Sequence, residues 1–120
     1  ERFNLIQHID LWVVNESSRV LEKLREQGRS ASFSVNLSGT TLNSTEILSE
    51  IEKNLKASNL PPSSLVFEIT ETSAIEKMDV ARNFIESMRK QGWRFALDDF
   101  GTGFSSFSQL KHLPVDIVKI

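Results

Sequence analysis

Leu65-Val66-Phe67-Glu68-Ile69-Thr70, a helical pattern over 74–91, and Trp93-Arg94-Phe95-Ala96-Leu97-Asp98 follow one another, and together they decide the fold. The first run is apolar and partly β-branched apart from one carboxylate, and reads as a strand. In the middle stretch Ala81, Phe84, Ile85 and Met88 fall on one helical face, and Gly92 follows as a cap. The third run reads as another strand. Two strands separated by a helix cannot form a hairpin, so they are expected to lie parallel with a right-handed crossover. Parallel strands of this kind are expected to be covered on both faces.

Working outward, the same alternation recurs. Over 5–25 the residues Ile6, Ile9, Val13, Val20 and Leu24 recur at helical spacing, and Gly28 is a stop signal. Residues 31–37 alternate small and large side chains, as a strand does. Asn43-Ser44-Thr45-Glu46 offers a helix start, Ile47, Leu48, Ile51 and Leu55 form its stripe, and Pro61-Pro62 ends the region. Downstream, Gly101-Thr102-Gly103 is a turn, Ser106 to His112 is a short helix, and Pro114 precedes a fourth strand from Asp116 to Ile120. The order αβαβαβαβ fits an open doubly wound sheet or a stretch of a (β/α)8 barrel. Asp98-Asp99-Phe100-Gly101-Thr102-Gly103 is not a dinucleotide fingerprint, because two acidic groups at its head repel a pyrophosphate. The expectation is therefore an α/β fold, a partial TIM-type barrel with about four parallel strands.

Composition narrows the functions. The 120 residues are 39% hydrophobic and 25% charged, with a formal net charge of -2 and no cysteine. Disulfide scaffolds and thiol-ligated metal centres are excluded. No apolar run approaches the roughly 18 residues of a membrane span, and the start resembles no signal or transit peptide. The charge balance lacks the basic excess of a DNA or RNA binder.

Parallel α/β folds carry their sites at the carboxyl ends of the strands. The expected strands bear Asn36, Glu68, Asp98 with Asp99, and Lys119 near those ends. Glu68 comes 32 residues after Asn36 and Asp98 comes 30 after Glu68, one βα unit per step. Successive groups are then neighbours on one rim. A carboxylate inside an apolar strand is costly unless paired or metal-bound, so these oxygen donors imply a cation. Asparagine and carboxylate oxygens suit Mg2+, Mn2+ or Ca2+ rather than zinc. Asp98 and Asp99 point in different directions along the chain, so one can serve a first ion while the other reaches a second ion or a water. Two ions about 4 Å apart stabilise both attacking and leaving oxygens in phosphodiester hydrolysis, and Lys119 adds positive charge near the nucleophilic water.

Four blocks resemble the EAL domain family, the cyclic di-GMP phosphodiesterases of bacterial signalling. They are Ser34-Val35-Asn36-Leu37-Ser38, Phe67-Glu68-Ile69-Thr70-Glu71-Thr72, Asp98-Asp99-Phe100-Gly101-Thr102-Gly103-Phe104-Ser105-Ser106 and Leu113-Pro114-Val115-Asp116-Ile117-Val118-Lys119-Ile120. The resemblance implies metal ligation by Asn36, Glu68 and Asp98, with Asp99 on a second metal. It implies that Lys119 orients the attacking water and that Glu71 anchors the loop from Asp99 to Ser106. The implied reaction linearises cyclic di-GMP to pGpG with Mg2+ or Mn2+ in the bacterial cytoplasm. Such domains are often homodimeric and attached to sensory or diguanylate cyclase domains. The name-giving Glu-Ala-Leu strand lies upstream of residue 1 in the family pattern, and further ligands lie beyond Ile120. Residues 1–120 therefore correspond to the central part of one EAL domain, roughly half of a ~250-residue barrel, with an uncovered interior face. Phe104 stands where tyrosine is more usual. The alternative is a degenerate EAL domain that binds cyclic di-GMP or a protein partner without catalysis.

Structural readings exist for each residue taken singly. Asn36 fits a strand-end cap, Glu68 an edge-strand surface residue, and Asp98-Asp99 an ordinary turn. Thr70 and Glu71 fit caps of the following helix, and Asp116 fits a turn. Trp12 and Trp93 are expected in the core or between helices, and His8 and His112 in solvent.

Overall fold

A computed structural model describes residues 2–70, 73, 78–98 and 115–118. Helix α1 (Arg2–Glu26) leads into β1 (Phe33–Asn36), α2 (Thr45–Ala57), β2 (Leu65–Thr70), α3 (Met78–Lys90), β3 (Arg94–Asp98) and β4 (Ile117–Val118), with 3-10 turns at Thr41–Asn43 and Pro62–Ser64. The short helix expected over Ser106 to His112 lies outside the described residues.

Local chemistry sets the helix ends. Gly28, at φ +76°, ends α1: its N–H donates to the Arg25 carbonyl at 3.0 Å and the Arg29 N–H to the Leu24 carbonyl at 2.9 Å. Gly92 (φ +98°) ends α3 the same way, with donors reaching Arg89 and Met88. Both are left-handed caps that only glycine adopts without strain. Ser44 caps α2, its Oγ accepting the Ile47 N–H at 3.1 Å.

The four strands form one parallel sheet in the order β1-β2-β3-β4. This order never reverses. Right-handed crossovers in a sheet that grows in one direction put every helix on the same face. The core agrees: Val14 and Leu21 of α1, Ile51 and Leu55 of α2, and Phe84, Ile85 and Met88 of α3 join one cluster with Val35, Leu65, Phe67, Ile69, Phe95 and Leu97. Those strand residues alternate with Ser34, Asn36, Val66, Glu68, Arg94 and Ala96, none of which belongs to it. A doubly wound sheet needs a reversal of strand order to place helices on both faces, and these strands have none.

Two expectations need correction. Among the described residues the second face of the sheet is covered only in part: Ser34, Asn36 and Arg94 are exposed, whereas Glu68 and Ala96 are 8% and 1% exposed. The apolar stripe of α1 is also displaced from the one read in the sequence. Val14 and Leu21 are its fully buried residues, whereas Ile9 is 48% exposed and Trp12 is 62% exposed. Trp93, by contrast, is buried against Phe67. The cause is that α1 is apolar on more than one side, so periodicity alone does not choose the inner face. Its rotation is fixed by polar contacts: Gln7 Nε2 to the Thr40 carbonyl, Asp10 to Ser38 and Thr41, and Asn15 Oδ1 accepting from Asn54. Trp12 lies about 200° around the helix from Asp10, on the far side. His8 is exposed as expected, and His112 lies outside the described residues. Among the described residues no helix is long and apolar enough to cross a membrane.

Candidate functional site at the carboxyl rim of the sheet

The β1–β2 register aligns Asn36 with Glu68. Directly opposed residues of parallel strands lie about 4.8 Å apart and project to the same side. Both are therefore on the face turned away from the helices, Asn36 as the last residue of β1 and Glu68 two residues before the end of β2. Val35, one residue earlier, aligns with Phe67 and both are buried on the helix side. That apolar pair sets the register, because a slip of one residue would turn Asn36 into the core.

Glu68 is 8% exposed, an unusual setting for a carboxylate, and it is not without an interaction partner. Asn36 beside it is exposed. The pair offers hard oxygen donors at one point of the rim, which fits a divalent cation of the Mg2+ or Mn2+ type. The β2–β3 register carries the rim onward: Glu68 aligns with Ala96, and Thr70 with Asp98. The backbone of Asp98 thus stands one strand over and two residues further along. Asp99, Lys119 and Glu71 lie outside the described residues, as does the side chain of Asp98. Among the described residues no three His, Cys, Asp or Glu gather into one cluster.

Thr70 is tied to Ser73. Its Oγ1 accepts the Ser73 N–H at 3.2 Å and donates to Ser73 Oγ at 2.8 Å. Asp116 is also structural. Its Oδ2 accepts the Phe95 N–H at 2.9 Å, its own N–H donates to the Phe95 carbonyl at 2.9 Å, and its Oδ1 pairs with Arg89 at 3.1 Å. It fixes the start of β4 against β3 and α3.

The groove on the opposite, helical side is occupied by structure rather than chemistry. Glu52 there accepts from Ser87 Oγ and Gln91 Nε2 between α2 and α3. On the outer face of α1, a hydrogen bond from Arg19 holds the exposed Glu16 carboxyl below the usual carboxylate range.

Comparison with known proteins decides the family. The sequence matches the EAL domain over residues 1–120. This chain belongs to the EAL domain family. The cyclic di-GMP phosphodiesterase PdeB of Shewanella oneidensis is 38% identical to it over 120 residues, covering 100% of this chain and 14% of PdeB. The bifunctional diguanylate cyclase/cyclic di-GMP phosphodiesterase MucR of Pseudomonas aeruginosa is 32% identical over 121 residues, covering 100% of this chain and 18% of MucR. The solved structure of the PaMucR phosphodiesterase in complex with c-di-GMP superposes with a TM-score of 0.84 at 32% identity, covering 100% of this chain and 52% of that one. This EAL chain therefore spans about half of the solved phosphodiesterase domain and less than a fifth of the full-length relatives.

Proposed function

We propose that residues 1–120 are the central part of an EAL domain that hydrolyses cyclic di-GMP to linear pGpG. Its four strands would form one arc of a (β/α)8 barrel. The one-directional strand order and the helices gathered on one face support that closure. The observation that carries the functional reading is the alignment of Asn36 with Glu68 at the carboxyl rim, on the side away from the helices. Parallel α/β enzymes gather their chemistry there.

In this reading Asn36, Glu68 and Asp98 would hold one Mg2+ or Mn2+ ion and Asp99 a second. When bound, the cations would supply charge stabilisation for the attacking and leaving oxygens of the phosphodiester. Lys119 orients the water that attacks phosphorus, the ribose 3′-oxygen leaves with a proton, and the ring opens with the uptake of one water. Glu71 anchors the loop from Asp99 to Ser106. The named activities of PdeB and MucR support the substrate, and the cyclase activity in MucR's name supports an attached diguanylate cyclase or sensory domain. A homodimeric domain working in the bacterial cytoplasm completes the proposal.

The test is hydrolysis of cyclic di-GMP by the complete protein with Mg2+ or Mn2+, followed as pGpG release. Asp98→Asn and Lys119→Ala are each expected to abolish turnover. Tight nucleotide binding by the wild type with no pGpG at any metal concentration would replace catalysis with the binding-only reading.

A further inference from the structure

Asp10 lies on α1, far in sequence from every rim residue, yet its carboxylate grips the loop that leaves β1. Its Oδ2 accepts the Ser38 N–H at 2.8 Å and the Thr41 hydroxyl at 2.5 Å. One turn earlier, Gln7 Nε2 donates to the Thr40 carbonyl at 2.7 Å. Inside the loop, Ser38 Oγ accepts the Thr41 N–H at 3.2 Å and lies 2.9 Å from Thr40 Oγ1. Thr41 is fully buried. The outer flank of the loop is therefore pinned at successive residues directly after Asn36 and Leu37.

The inner flank is pinned as well. A Cβ on Gly39 would lie 2.8 Å from Ser73 Oγ, so any larger residue there has to displace the Ser73 hydroxyl. Ser73 is itself tied to Thr70 at the end of β2 by two hydrogen bonds. A continuous path thus runs from Asp10 through the β1 loop and Gly39 to Ser73 and Thr70. It joins the two chain segments that follow Asn36 and Glu68.

We propose that Asp10 is a positioning residue for the rim: by holding Ser38 and Thr41 it keeps the β1 loop seated against Ser73, and so keeps Asn36 level with Glu68 for a shared cation. This rests on the metal-rim reading above. A purely structural Asp10 would lower stability without changing cation affinity well below the melting temperature. Groups hydrogen-bonded directly to a metal ligand typically change metal affinity about 10- to 100-fold when removed, and Asp10, which acts through the loop, is expected at the low end of that range.

The experiment measures Mn2+ dissociation constants by the EPR signal of the free ion, using the complete protein at a temperature where every variant is folded by circular dichroism. Asp10→Ala is expected to weaken Mn2+ about tenfold. Thr41→Val, which keeps shape and loses the hydroxyl, is expected to weaken it in the same direction, and Thr41→Ser to restore it. Gly39→Ala, which displaces Ser73, serves as an independent variant should Asp10→Ala not fold. Asn36→Ala and Glu68→Gln are the comparators. If they weaken Mn2+ while Asp10→Ala, Thr41→Val and Gly39→Ala do not, the positioning role is overturned and the rim reading stands. If the comparators also leave the affinity unchanged, the rim reading falls and the positioning role with it.

Discussion

Asn36 and Glu68 stand on one rung of the parallel sheet, and just past it the Leu37 N–H donates to the Glu68 carbonyl at 2.9 Å. The rung behind it joins Val35 to Phe67, which are 2% and 0% exposed. Alternation does the rest: the apolar pair faces the helices and the oxygen donors face away. The juxtaposition of these two side chains is thus a consequence of core packing one residue earlier.

Phe67 is the keystone of that packing, with ring contacts to Trp93 and to Phe95, which in turn meets Phe84 edge-on. Phe67→Ala is expected to destabilise by about 3–5 kcal/mol and Phe67→Leu by considerably less. Urea unfolding of the complete protein, comparing midpoints at constant slope, measures both.

Asp116 and Arg89 are expected to behave unequally although they form one ion pair. Asp116→Ala also strips the acceptor from the Phe95 N–H, on a residue that is 0% exposed. Its cost is expected at about 1.5–3 kcal/mol, as for a hydrogen bond to a charged group. Arg89 is 42% exposed, so Arg89→Ala is expected to cost less than about 1 kcal/mol. Equal losses in chemical denaturation would contradict the assignment.

The two left-handed glycines are expected to rank. Alanine at Gly28 meets nothing within 4 Å and pays the left-handed backbone cost alone, about 1–2 kcal/mol. Alanine at Gly92 adds a contact at 3.0 Å with the Pro62 ring. Gly92→Ala should therefore melt below Gly28→Ala in calorimetry.

Ser44→Ala should cost about 1 kcal/mol by freeing the Ile47 N–H at the start of α2, and Ser44→Asp should retain most of the stability. Thermal unfolding of the two variants side by side checks the cap.

The strands and the rim were legible because each depends on short-range pattern. β2 is an apolar run broken by one carboxylate and closed by a threonine, and its bounds emerge as read, Leu65–Thr70. The pairing of Asn36 with Glu68 was legible because parallel strands of one βα spacing bring corresponding positions together. The face of α1 was not, since Leu5, Ile9 and Trp12 make a second apolar stripe as convincing as the buried one. What selects between them is Asp10, whose partners lie 28 and 31 residues away. No local signal marks such a pairing, because an aspartate in mid-helix normally reads as a solvated charge.

The central claim is that Asn36 and Glu68 hold the same cation, and a double-mutant cycle on Mn2+ affinity tests it most directly. Asn36→Ala, Glu68→Gln and the double variant of the complete protein are titrated with Mn2+. Ligands of one ion should each weaken binding and combine non-additively, with a coupling of about 0.5–3 kcal/mol. Unchanged affinity in the single variants, or losses that simply add, would contradict it.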